Sequence, residues 1–120
     1  MSKTRLNTLR WILIVIVALV FLGAAGMKLV NYQDSSAAEF AHWGFPPWMR
    51  YAVAVVEIAG AITLFFPATL IYSATILVLL MIGAMVTHAL NDPFYYISLP
   101  LGLIATLLVI IYLHRKIYRN

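Results

Sequence analysis

No cysteine occurs in this 120-residue chain, and only 10% of its residues are charged. The first absence excludes disulfides, thiol redox chemistry, iron–sulfur clusters and haem attachment through a CxxCH motif, so any redox work needs a borrowed cofactor. The second, set against a hydrophobic fraction of 64%, lies far outside the balance of soluble domains and identifies a membrane protein. Alternating strand patterns are also missing, and an open sheet cannot satisfy its backbone in lipid, which leaves helices. Phosphate-binding glycine loops, nucleophile elbows and HExxH motifs are absent too.

What is present is four apolar stretches, each near the ~20 residues that cross a bilayer. They predict an all-α, polytopic four-helix bundle in one membrane domain over residues 1–120. The helices are expected at about 9–30, 48–66, 69–90 and 97–114, with an extracytoplasmic loop at 31–47. Basic residues flank the spans: Lys3, Arg5 and Arg10 at one end, Arg115, Lys116 and Arg119 at the other. The loop near Asp92 carries none. This is a topology signal rather than a nucleic-acid patch, and by the positive-inside rule it puts both termini in the cytoplasm. A basic start followed by GAAG (Gly23 to Gly26) also resembles a cleavable leader, but an intact first helix keeps the charge pattern consistent.

Within the loop, NYQDSS (Asn31 to Ser36) reads as a turn, AEFAHW (Ala38 to Trp43) as a short interfacial helix, and GFPPW (Gly44 to Trp48) as a break that starts the second span. Small residues at Gly23, Gly26, Ala54, Gly60, Ala61, Gly83, Ala84 and Gly102 permit close helix packing in lipid.

One acid stands inside the oil. In AVAVVEIAGAITLFF (Ala52 to Phe66), Glu57 lies roughly 13 Å from Trp48 and roughly 15 Å from Pro67 along the helix, too deep for its side chain to reach either surface. Lys28 lies about 5 Å inside Asn31, and His88 about 6 Å inside Asp92. Side chains lean toward the N-terminus of their own helix, so Lys28 and His88 lean inward while Glu57 leans out toward them. The expected site is therefore a buried Lys28, Glu57 and His88 cluster beneath a loop carrying His42, Trp43 and Trp48. Arg50 shares a helix face with Glu57 and reads as an interfacial anchor that also reaches the cluster, completing the ligand-binding set. An ion pair that only joins two helices is the plain alternative. His42 and His88, even with Met81 and Met85, do not make a haem or metal set, because His42 is in a loop and His114 lies at the opposite side.

The motifs GMKL (Gly26 to Leu29), FPPW, VVEIAGAITLFFP and GAMVTHA resemble, in order and spacing, the DoxX family and more closely its DoxX-like branch. The resemblance implies a four-helix inner-membrane protein of bacteria or archaea, with Lys28, Glu57 and His88 as the family's polar helix positions. It also implies redox or oxidative-stress work, since the related DoxD proteins are subunits of a thiosulfate:quinone oxidoreductase. The function expected is an accessory subunit that takes quinone as a borrowed cofactor. A proton-coupled carrier of a small solute and a structural anchor for a soluble partner are the other readings. The partners expected are the lipid bilayer, a soluble redox or sulfur-transfer protein and further copies of the chain.

Overall fold

A computed structural model describes residues 2–118, so Arg119, counted above in the C-terminal basic cluster, lies outside them. Among the described residues every regular element is helical: α1 at Lys3–Val30, α2 at Ser35–His42, α3 at Met49–Thr63, α4 at Leu70–Asn91 and α5 at Ser98–Ile117. Single 3-10 turns at Tyr32–Asp34 and Phe94–Ile97 lead into α2 and α5. The bundle thus has five α-helices rather than four.

Local chemistry sets the ends of these helices. α1 begins well before residue 9 because Ser2 caps it, its hydroxyl accepting the Arg5 N–H at 3.2 Å. It ends where Asn31 turns left-handed, φ 53°, and donates its own N–H to the Met27 carbonyl. Gln33 and Asp34 are left-handed as well. Three such residues within four positions make a tight reversal, and the Asn31 side chain secures it by accepting the Ala37 N–H of α2 at 2.9 Å.

α3 is the main departure from expectation. It has 15 residues, about 22 Å of rise, and stops at Thr63 instead of residue 66. Phe66 precedes Pro67, a position that disfavours helix, and the Thr69 hydroxyl takes the Thr63 carbonyl at 2.8 Å. Three segments, α1, α4 and Phe94–Ile117, are long and apolar enough to cross a membrane. The shorter α3 lies against them.

The packing separates the bundle into two ends. α1 packs chiefly along α3, α4 along α5, and α1 also meets α5. Around the chain termini these pairs close on one another through Ile14, Val17, Leu64, Leu77, Leu107 and Ile110, all with almost no exposed surface. Gly60 permits the approach of α3 to α4, since a Cβ there would stand 2.7 Å from Leu77 Cδ2. Arg10, expected as a topology charge, is instead interior at 2% exposed. Its guanidinium donates to His114 Nδ1 at 3.1 Å and to Asn7 Oδ1 at 2.9 Å. Because arginine only donates, His114 accepts at Nδ1 and carries its proton on Nε2. This contact joins the start of α1 to the end of α5, so both termini lie at one end of the bundle.

Candidate functional site

At the other end, beneath the loop, the two helix pairs diverge. They leave a cavity of about 720 Å³. Phe21 of α1, Val53 of α3, Met81 of α4 and Leu103 of α5 contribute to apolar walls. α2 and the residues after it form the roof, where Phe40, Trp43 and Phe45 pack edge to face with ring centroids 5.1 to 6.4 Å apart. Gly44, φ 83°, lets the chain fold Phe45 back under this roof.

Polar groups enter the hollow at few places. Lys28 Nζ stands 2.9 Å from Glu57 Oε1, and the carboxylate side chain is 2% exposed against 19% for the lysine. An ion pair this buried is held by geometry around it, because desolvation takes back much of the attraction. Arg50 supplies that geometry. Its guanidinium donates to the Lys28 carbonyl, left free near the end of α1, and to the Tyr51 hydroxyl at 2.8 Å. Arg50 is buried and absent from the cavity lining. It positions Lys28 from behind rather than reaching the cavity itself.

His88 lines the same cavity but pairs elsewhere. Its Nδ1 lies 2.8 Å from Asp92 Oδ2, one helical turn on. Its ring stacks on Tyr96 at 5.6 Å and meets Trp43 edge-on at 5.2 Å. The Trp43 indole N–H donates to that same Asp92 oxygen at 2.8 Å. His42, on the exposed rim, sets Nε2 3.3 Å from Asp92 Oδ1 and 3.1 Å from the Asn91 carbonyl. Asp92 is thus a clasp that fastens the roof to the end of α4. The hydrogen bond with His88, aided by Trp43 and opposed by partial burial, holds its carboxyl below the usual carboxylate range.

The expected residues therefore fall into three groups. Lys28, Glu57, His88 and Trp43 line one cavity; His42 borders a smaller pocket beside it with Trp43 and Asp92; Trp48, largely exposed, and Arg50 stand outside the lining. No hydrogen bond links His88 to Glu57 among the described residues, so the triad resolves into an ion pair and a separate His88–Asp92 pair. Asp92 is the residue that reading the sequence missed. Its signal was the i,i+4 spacing from His88, which a helix-ending NDP turn obscures.

A mostly apolar hollow in a helical membrane protein, with one buried ion pair and a fastened roof, defines a membrane protein with room for a small amphipathic molecule. The family model described as the DoxX-like family matches residues 12–111, and the chain belongs to that family. No curated protein and no solved structure matches it significantly. The matched span contains Lys28, Glu57, His88 and Asp92, and it leaves out both Arg10 and His114.

Proposed function

We propose that this DoxX-like protein binds an amphipathic, quinone-like molecule in the cavity and serves as an accessory subunit of membrane redox or oxidative-stress metabolism. The single observation behind the reading is the cavity itself: apolar walls wide enough for a ring and the start of a tail, with Lys28 and Glu57 paired at its polar end. In this reading Lys28 donates to a ring oxygen, and Trp43 covers the ring. Glu57 and His88 are the groups available for proton exchange when a ring is reduced or reoxidised, with His88 kept in orientation by Asp92. Electrons come from a soluble redox or sulfur-transfer partner, because the chain has no cysteine. The basic ends of α1 and α5 support a cytoplasmic placement of both termini, in a bacterial or archaeal inner membrane.

Ligand-dependent thermal unfolding of the purified protein tests this reading. A short-tailed quinone analogue raises the unfolding midpoint of the native chain, by about 2.7 kcal/mol of stabilisation at a hundredfold excess over Kd. Gly83→Phe removes the effect. Gly83 lines the cavity with open space around it, so the new ring fills the hollow without disturbing the packed end. An unchanged midpoint in the native protein overturns the proposal.

A further inference from the structure

The polar end of the cavity is chemically unfinished. Glu57 Oε1 is sealed in the interior, and Lys28 Nζ, 2.9 Å away, is its one charged neighbour among the described residues. The ammonium neutralises the carboxylate but fills only part of its hydrogen-bonding capacity. A carboxylate has roughly four lone-pair sites, and buried acceptors are almost always filled. An under-filled carboxylate and an ammonium donor therefore stand side by side in the lining of one hollow.

That arrangement discriminates between possible ligand heads. A ring carbonyl accepts from Lys28 but gives Glu57 nothing, and it sets lone pairs against lone pairs. An ether has the same defect. A hydroxyl on an aromatic ring accepts from the ammonium and donates to the carboxylate at once, filling both. Building on the reading above, we infer that the head of the ligand carries a hydroxyl group, so that the site holds the reduced, dihydroxy-aromatic state of a quinone-type ring in preference to the oxidised dione. Glu57 is then the residue that sets this preference. The lining favours the same class, since the aromatic rings of Phe40, Trp43 and Tyr96 border the hollow.

Three probes with one ring and one tail separate the possibilities: the dione, its hydroquinone kept under anaerobic reductant, and the hydroquinone dimethyl ether. Affinities are read from the quenching of tryptophan fluorescence in the full chain, held in detergent. The hydroquinone binds on the order of tenfold to a hundredfold more tightly than either of the others, the range expected for a hydrogen bond to a charged group. Glu57→Gln, which can accept and donate, narrows that gap to less than about threefold. If that variant does not fold, the three affinities of the native protein still decide. Equal binding of dione and hydroquinone, or of hydroquinone and its ether, overturns the inference and leaves the cavity reading standing. A gap that survives unchanged in Glu57→Gln overturns the assignment to Glu57. Binding of none of the three overturns both.

Discussion

The two ends of this bundle each draw a cation inward, Arg10 fully and Lys28 in large part, and they treat it differently. At the terminal end, Arg10 is surrounded by neutral partners, Asn7 and His114, with the rings of Trp11 and Tyr118 beside it at 5.2 and 5.5 Å. At the loop end, Lys28 meets a full opposite charge and borders a hollow. Neutral hydrogen-bonding partners suit a joint, because they tie the start of α1 to the end of α5 within the protein. An ion pair beside empty volume suits a site, because part of its hydrogen-bonding capacity points away from the protein.

The largest effect expected from disturbing this contrast is at the ion pair. Lys28→Met leaves Glu57 buried without its partner and destabilises the protein by about 3–5 kcal/mol, whereas the double change with Glu57→Gln recovers most of that loss. Thermal unfolding of the two variants in one detergent checks it. Equal losses in the single and double variants would show that the pair contributes nothing as a pair.

Glycine tests the difference in packing directly. Gly60→Ala drives a methyl group into Leu77 at the closed end and costs about 1–3 kcal/mol, while Gly83→Ala at the hollow meets nothing within 4 Å and is neutral or stabilising. Unfolding midpoints that fall equally in both variants would contradict a packed end opposed to an open one.

The smallest effect concerns the clasp. The Asp92 carboxyl is held below its ordinary value by His88, so its contribution is fully present above the unfolded carboxylate pKa near ~3.9 and is lost as pH falls below that toward the depressed value. Fluorescence of Trp43 therefore changes with a midpoint below pH ~3.9. Asp92→Asn abolishes the transition; a transition of the same midpoint in that variant would assign it to another group.

Much of this was legible in the sequence, for identifiable reasons. Hydropathy marks the long helices, and the Lys28–Glu57 contact follows from depth plus the direction in which side chains lean. The interfacial helix was legible too, though it starts at Ser35 rather than Ala38, because Asn31 recruits the Ala37 N–H. Arg10 was misread because a basic residue before an apolar span looks like a charge facing water, and only the tertiary approach of α5 encloses it. His88 was assigned to Glu57 on the same depth and lean. A short-range partner, Asp92, outcompetes a distant one, since a neighbouring turn needs no additional ordering of the chain. The early end of α3 could not be read from hydropathy, which runs on through Phe65 and Phe66 while the backbone has already turned.

That turn has a consequence for the bilayer. α3 rises about 22 Å against a hydrocarbon layer of about 30 Å, a shortfall that a membrane ordinarily meets by thinning. Here some of the peptide groups beyond the helix are already supplied: the Thr63 carbonyl accepts from the Thr69 hydroxyl, and the Phe66 carbonyl accepts from the Thr69 N–H. With Phe65 and Phe66 turned outward, this connection presents an apolar edge at the level where the short helix ends. The bilayer there meets phenylalanine rings before it meets open backbone.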